Sequence, residues 1–137
     1  MDETNCIFCK IIAGVIPATV IYEDERTLAF LDIAPFEEGH VLVVPKCHAR
    51  MLTDLPEEDL LAAIRVTRKV GETLLRRLPC DGFNVQQNNG ACASQTVPHV
   101  HFHVVPRHEG RPLNWVPGSY ASADEARAIQ AKLENLI

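Results

Sequence analysis

Three histidines at alternate positions of one short segment limit what this chain can fold into more than any other feature. Residues 99–105 read His-Val-His-Phe-His-Val-Val. Successive side chains of a β-strand point to opposite faces of its sheet, so the alternation predicts a strand with Val100, Phe102 and Val104 toward the core. The three imidazoles then share the other face. Exposed strand faces usually carry Thr, Lys or Glu, so this row indicates a metal site or histidine chemistry.

The spacing of the row limits how many of its rings can bind one ion. At ~3.3 Å per residue, neighbours on one face lie ~6.6 Å apart, and the outer pair, His99 and His103, lies ~13 Å apart. Zinc–nitrogen bonds are only ~2.0–2.1 Å long, so the outer pair cannot share an ion while the strand is straight. An adjacent pair can, which leaves at least one histidine for other chemistry.

The remaining hydrophobic pattern predicts an α+β fold with a mostly antiparallel sheet. Two β-rich segments flank a polar turn, as in a hairpin, and a long helix separates the third strand from the last two. The order of hairpin, strand, helix, hairpin and helix is typical of the α+β class. The predicted strands cover 20–23, 27–32, 40–44, 82–87 and 97–105, and the predicted helices cover 7–12, a long segment from Pro56 and part of 121–137.

The long helix is the clearest of these elements. It starts at Pro56, has an acidic first turn and carries Arg76 and Arg77 in its last turn, in agreement with the helix dipole. One apolar face recurs every three or four residues and should pack on the sheet. That predicted face consists of Leu60, Ile64, Thr67, Gly71, Leu74 and Leu78.

Composition indicates an ordinary globular protein and excludes several classes of partner. With 137 residues, of which 47% are apolar, we expect one domain over residues 1–137 with a core of its own. The net charge of −5 argues against a surface that binds duplex nucleic acid. No apolar run approaches the ~20 residues that span a bilayer, and the acidic start lacks the pattern of a secretory signal. We therefore expect a cytoplasmic protein that has no membrane partner.

The cysteine and histidine spacing indicates a zinc site. Five cysteines are few, and an odd number cannot all pair, so a disulfide scaffold is disfavoured. Reduced thiols or metal ligands are favoured instead. Cys6 and Cys9 form a Cys-x2-Cys pair, for which a redox role would require a thioredoxin-like βαβ context that is absent. With His48 and His99 they complete a Cys2His2 set for a structural zinc. Cys47, next to His48, is an alternative ligand.

These motifs resemble those of the histidine triad (HIT) superfamily. The row at 99–105 is similar to the family signature, in which three histidines alternate with apolar residues. Further similar motifs follow one another in the family's order, and together they cover roughly residues 6–107. The resemblance is strongest to the bacterial, HINT-like branch, some members of which hold zinc. The other matching segments are 6–12, 16–18, 22–24, 28–33, 39–46, 88, 95–97 and 106–107.

The resemblance implies a nucleotide-binding homodimer that acts at the α-phosphorus of a purine nucleotide conjugate. The conjugate would be a phosphoramidate, an adenylylated amine or a dinucleoside polyphosphate. His101 matches the family nucleophile, which forms a nucleotidyl-histidine intermediate that water then hydrolyses. His103, Asn88, Gln95 and Thr96 match positions that contact the phosphate, although Asn88 could instead simply begin a turn.

The resemblance also implies where the nucleoside binds. Asp32 matches the carboxylate that holds the ribose hydroxyls, and an ordinary strand-end cap is the alternative for this residue. The base pocket would be lined by Phe8, Ile11, Leu31 and Ile33, of which Phe8 and Ile33 fit a plain core role equally well. In the zinc-bearing branch the first histidine of the row is a zinc ligand, which agrees with the ligand set above.

One position departs from the family pattern. The family usually has glycine directly before Gln-Thr-Val, where the backbone approaches the phosphate, and this chain has Ser94. Either Ser94 offers its amide from an extended conformation, or the phosphate pocket is altered. His40 and His108 are assigned no catalytic role.

Two other functions remain open at the level of sequence. The histidine row could bind a catalytic metal, which would make the protein a metallohydrolase. Alternatively, the altered loop at Ser94 could leave a nucleotide-binding interaction module with little turnover.

Overall fold

Five strands form one antiparallel sheet in the computed structural model, which describes residues 5–136. The sheet order is β1-β2-β3-β5-β4, and every neighbouring pair is antiparallel. This confirms the predicted α+β class. The strands are β1 Val20–Glu23, β2 Thr27–Leu31, β3 Val41–Pro45, β4 Gly82–Gln87 and β5 Phe102–Arg107. The α-helices are α1 Ile7–Ile12, α2 Glu57–Arg77 and α3 Ala123–Leu133.

The sheet buries both of its faces against helices of different size. The larger apolar cluster joins one face to α2 and α3, and the smaller one joins the other face to α1. Side chains of β2 alternate between the two, with Ala29 and Leu31 in the larger cluster and Leu28 and Phe30 in the smaller. No helix within residues 5–136 is long and apolar enough to cross a bilayer.

The long helix turns a slightly different face to the sheet from the one predicted. Ile64 was expected inside but is 45% exposed, whereas Ala63, Val66 and Val70 are buried. Thr67, Gly71 and Leu74 are buried as expected. The apolar positions of α2 form a stripe that is wider than the face buried on the sheet. The spacing of three and four residues therefore fits two overlapping faces of the helix, and the prediction chose the wrong one.

The histidine row is only partly strand. The prediction placed a strand over 97–105, but β5 begins at Phe102. Pro98 has no N–H to donate to a neighbouring strand, and the His99 N–H instead bonds to the Val97 carbonyl at 2.9 Å in a tight turn. The Val100 N–H donates to the Ala49 carbonyl at 2.9 Å.

The alternation of the row survives this irregular start. Val100, Phe102 and Val104 all lie in the larger apolar cluster, on the side of α2. His99 and His101 instead contact the ring of Phe8 in α1, on the opposite side of the sheet. The predicted separation of apolar and imidazole side chains is therefore confirmed, although only half of the segment pairs within the sheet.

Other element ends differ by a few residues. β3 runs from Val41 to Pro45 rather than over 40–44, because Pro45 still pairs with Thr27 at the end of the ladder. β2 ends at Leu31 rather than at residue 32. In the C-terminal segment, α3 begins after Ser122, whose Oγ accepts the Glu125 N–H at 3.2 Å.

Candidate active site and metal centre

Two cysteines and two histidines meet between α1 and the sheet. Cys6 caps the N-terminus of α1, Cys9 lies in its first turn, His48 follows β3 and His99 precedes β5. The Sγ atom of Cys6 lies 3.3 Å from His99 Nδ1, and that of Cys9 lies 3.3 Å from His48 Nδ1. Cys9 Sγ is 3.6 Å from His99 Nδ1, and the two Nδ1 atoms are 3.1 Å apart. The structure thus brings together all four ligands expected from the sequence.

The cluster has the dimensions of a tetrahedral metal site. Zinc bonds of about 2.3 Å to sulfur and 2.0–2.1 Å to nitrogen place sulfur and nitrogen ligands about 3.6 Å apart and two nitrogens about 3.4 Å apart. The measured separations between these atoms differ from those values by a few tenths of an ångström at most. Cys47 is not among the four, and its side chain packs against the larger apolar cluster.

Hydrogen bonds fix the tautomer of His99 in the form that a metal requires. Its Nε2 lies 2.8 Å from the Pro45 carbonyl, which can only accept, so Nε2 carries the proton. The lone pair of Nδ1 therefore points at the cysteines. Such a bond from the second ring nitrogen is the usual support of a metal-binding histidine.

The same residue orients the next histidine of the row through its backbone. His101 Nδ1 lies 2.7 Å from the His99 carbonyl and donates its proton to it. Nε2 of the neutral ring then keeps its lone pair. Burial lowers the pKa of His101, although the bond to His99 and the charge of Asp32 raise it in part. The ring is therefore neutral and nucleophilic at neutral pH.

A cavity of about 240 Å³ opens beside this imidazole. It lies between α1, the segment that follows α1 and the imidazole face of the sheet. Its walls are mainly apolar, as is usual for a pocket that binds a small molecule. Predicted site residues that line it are Phe8, Ile11, Leu31, Asp32, Ile33, Thr96, His101 and His103, and lining residues that the sequence analysis missed are Ile7, Ile16, Pro17, Ala18, Phe30, Leu42 and Val97.

Asp32 fits both readings offered for it. Its Oδ1 accepts the Ala34 N–H at 2.9 Å, which caps the turn after β2. The residue also lines the cavity, and its Oδ2 lies 3.7 Å from His40 Nε2. The cap fixes the carboxylate at the cavity wall, so the two roles are compatible.

Two predicted phosphate contacts lie outside the cavity walls. Gln95 is buried, with its Oε1 accepting the Gly90 N–H at 2.7 Å and its Nε2 donating to the carbonyls of Arg50 and Val97 at 2.7 and 3.0 Å. These bonds hold the loop before the histidine row together. Asn88 supports the same loop, since its Nδ2 donates to the Ser94 carbonyl at 3.4 Å.

Ser94 adopts a backbone conformation that favours glycine. Its φ of 73° and ψ of 21° are left-handed, and its N–H donates to the Ala91 carbonyl at 3.1 Å. An extended Ser94 that offers its amide was one of two alternatives predicted from the sequence, and that alternative is wrong. A turn of three residues, 91–93, precedes Ser94, and Ser94 caps its C-terminal end.

His40 is one of the two histidines, with His108, to which the sequence assigned no catalytic role. It precedes β3, is fully buried, and its Nε2 lies 2.9 Å from His103 Nδ1. Nothing in its spacing links it to the row, because only the pairing of β3 with β5 brings the two together. His108 lies elsewhere, with its Nδ1 3.0 Å from the Pro79 carbonyl.

Comparison with known sequences identifies the family. Residues 13–110 match the HIT domain. The chain is 53% identical over 105 residues to an uncharacterized HIT-like protein of Methanocaldococcus jannaschii, an alignment that covers 77% of this chain and 81% of that protein. It is 44% identical over 139 residues to the adenosine 5'-monophosphoramidase HNT1 of Saccharomyces cerevisiae, with 96% and 85% covered. The chain belongs to the HIT-domain family.

Solved structures agree with this assignment. A HIT-like protein from Bartonella henselae superposes with a TM-score of 0.90 at 37% identity, covering 97% of this chain and 96% of that one. A zinc-bound histidine triad family protein from Mycobacterium smegmatis superposes with a TM-score of 0.85 at 40% identity, covering 96% and 95%. Cys6 and Cys9 precede the residues matched to the HIT domain.

We predict that Ser94→Gly stabilises the protein. A left-handed conformation costs a non-glycine residue about 1–2 kcal/mol, and the greater freedom of glycine in the unfolded chain returns about 0.5–1 kcal/mol of that. The unfolding free energy from urea denaturation should rise by about 0.5–1 kcal/mol. Ser119→Gly is the matched control, because Ser119 does not have a positive φ. Equal destabilisation by both substitutions would contradict the strain at Ser94.

Proposed function

We propose that this protein hydrolyses purine nucleotide conjugates at the α-phosphorus, with His101 as the nucleophile. The observation that carries the proposal is the bond from His101 Nδ1 to the His99 carbonyl, which leaves Nε2 free in a neutral ring at the wall of the cavity. An adenosine phosphoramidate is the favoured substrate type, because a relative that aligns with nearly the whole chain is named as an adenosine 5'-monophosphoramidase.

The reaction would proceed in two displacements. The Nε2 lone pair of His101 attacks the α-phosphorus, and the bond from phosphorus to the leaving amine breaks with its electron pair going to the amine nitrogen, which takes up a proton. Water then attacks phosphorus and loses a proton to solvent, the bond to Nε2 breaks with its electron pair returning to the imidazole, and the nucleoside monophosphate leaves. A covalent intermediate of this kind divides one difficult displacement into two easier ones.

The side chains around the cavity suit the parts of such a substrate. Apolar walls that include Phe8 and Ile11 would take the base, and the Asp32 carboxylate would accept hydrogen bonds from the ribose hydroxyls. His103 and Thr96 would donate to the phosphoryl oxygens, where negative charge develops. Asn88 and Gln95 would act indirectly, by holding the loop that carries Thr96.

We predict that His101→Gly abolishes turnover and leaves nucleotide binding intact. Loss of the nucleophile should lower kcat for adenosine 5'-phosphoramidate roughly 1,000-fold or more. Calorimetric titration with AMP should still show binding, because the apolar walls and Asp32 are unchanged. His108→Ala is the control, since this histidine lies away from the cavity and should retain parent activity.

The His101→Gly experiment also separates the proposal from its alternatives. Full activity of this variant would exclude His101 as the nucleophile. AMP binding by a parent protein that shows no turnover would instead favour a nucleotide-binding module.

We also propose that Cys6, Cys9, His48 and His99 hold a structural zinc. Four protein ligands leave no open position for substrate, as is usual for structural rather than catalytic sites. Zinc bound there would tie α1 to the sheet. This arrangement disfavours a catalytic metal at the Cys2His2 cluster, and His101 belongs to no group of potential ligands among the described residues.

We predict about one zinc per chain in protein purified without chelator. Cys9→Ser should lose most of this zinc, and its melting temperature should fall substantially, because loss of a ligand removes the folding free energy that the metal supplies. Cys92→Ser, at an exposed cysteine outside the cluster, is the control and should match the parent. Elemental analysis and thermal denaturation measure both effects. A fully folded, fully active parent that contains no zinc would exclude a structural role.

We further propose that the chain forms a homodimer through β4 and α2. β4 is an edge strand of the sheet, and its Val85 is 49% exposed. On α2, Leu61, Ile64 and Leu75 are also exposed. An apolar surface next to an open strand edge is suited to pairing with a second copy of itself.

We predict a dimer in sedimentation velocity at micromolar concentration. Val85→Lys should shift the population to monomer, because it places a charge at the proposed centre of the contact. Val15→Lys changes a valine that is 72% exposed and lies on another surface, and it should leave the dimer intact. A monomeric parent protein would exclude the proposal.

A further inference from the structure

A second group of potential ligands lies beside the nucleophile. Asp32, His40 and His103 place one ligand atom each within 4.8 Å of the others. His40 Nε2 is 2.9 Å from His103 Nδ1 and 3.7 Å from Asp32 Oδ2. Two histidines and one carboxylate also make up a well-known type of metal site. The group could therefore bind a metal or form a hydrogen-bond network.

A backbone hydrogen bond to His40 argues against metal binding by this group. The Phe36 N–H donates to His40 Nδ1 at 3.1 Å, so that nitrogen carries no proton. A metal on Nε2 would need the proton of the neutral ring to sit on Nδ1, where it would face the Phe36 N–H. The hydrogen-bond pattern therefore places the proton of His40 on Nε2.

That proton determines the tautomer of the next ring. His40 Nε2–H can donate to His103 Nδ1 at 2.9 Å, whereas Asp32 Oδ2 is too distant for a hydrogen bond. His103 Nδ1 is then an acceptor, and the proton of that neutral ring must be on its own Nε2. Among residues 5–136 no partner occupies His103 Nε2, and His103 lines the cavity.

The environment holds both rings neutral and in place. Burial lowers the pKa of His40 to about 4 and that of His103 to about 3. The ring of Phe36 stacks on His40 with centroids 5.0 Å apart and on His103 with centroids 6.1 Å apart. Neutral rings that cannot rotate keep their donors and acceptors in a fixed order.

We propose that His40 is a positioning residue, which directs the Nε2–H of His103 into the cavity as a hydrogen-bond donor. The series of hydrogen bonds runs from the Phe36 N–H through His40 to His103. It ends in the cavity, where a phosphoryl oxygen or the leaving group would lie. The inference rests on the proposed function for the identity of that acceptor. The order of protons itself depends only on the contacts between these three residues.

Two substitutions of His40 distinguish the role of its N–H donor from the role of its aromatic ring. His40→Phe keeps a ring that can stack on Phe36 but has no N–H, so His103 loses the donor that fixes its tautomer. His40→Gln keeps an N–H at the position of Nε2 and an oxygen that can accept. We expect His40→Phe to lower kcat roughly 10- to 100-fold with little change in KM, somewhat less than deleting an oxyanion donor outright. His40→Gln should stay within a few-fold of the parent.

Nitrogen NMR tests the inference without any substrate. Long-range 1H–15N spectra distinguish the two tautomers of each histidine, and in the zinc-loaded parent protein His103 should be protonated on Nε2. In His40→Phe this preference should be lost, and in His40→Gln it should be retained. A parent His103 protonated on Nδ1, or an unchanged tautomer in His40→Phe, would overturn the assignment.

Zinc titration tests the competing interpretation. Beyond the one zinc of the Cys2His2 cluster, no second tightly bound equivalent is expected in the parent or in either variant. A second equivalent that His40→Phe removes would make the group a metal site and overturn the proposal. A parent protein in which His103 has the Nε2–H tautomer but which shows no phosphoramidase activity would exclude the proposed function and leave the positioning role of His40 intact.

Discussion

The contact between His99 and the Cys6–Cys9 pair is the interaction on which the rest of the site depends. It holds α1 against the imidazole face of the sheet, and this packing forms one wall of the cavity. The same residue gives its backbone carbonyl to His101 Nδ1. A single residue, His99, therefore joins the cysteine–histidine cluster to the proposed nucleophile, and a shift of this residue would disturb both.

The site handles negative charge with few positive groups. The cavity walls contain the carboxylate of Asp32 but neither lysine nor arginine, and the imidazoles of His101 and His103 are neutral because they are buried. In the proposed reaction, such a site would stabilise a phosphoryl group through hydrogen bonds whose donors are fixed before the substrate arrives. Fixed tautomers then take the place of charge, which makes the carbonyl of His99 and the Nε2–H of His40 as important as the rings that line the cavity.

Sequence patterns predicted the fold class and most of the residues that the structure brings together at the candidate site, for identifiable reasons. Alternation at 99–105 separated imidazoles from core residues because it depends only on the geometry of an extended chain. The ligand set Cys6, Cys9, His48 and His99 followed from the residue types and their number. The start of β5 was misplaced because Pro98 has no N–H and the His99 N–H bonds locally to the Val97 carbonyl, while the Val100 N–H bonds to a carbonyl that is distant in sequence, that of Ala49. His40 was missed because strand pairing alone brings it to His103.

The measurement that tests the account most directly is the identity of the residue that carries the nucleotide during turnover. The zinc-loaded protein is mixed with adenosine 5'-phosphoramidate, quenched within milliseconds in alkaline denaturant, digested, and analysed by mass spectrometry. The account predicts an adenylyl group on the peptide that contains His101, on the His101 ring. Turnover with no adduct at any time, or an adduct on His103 or another residue, would contradict it.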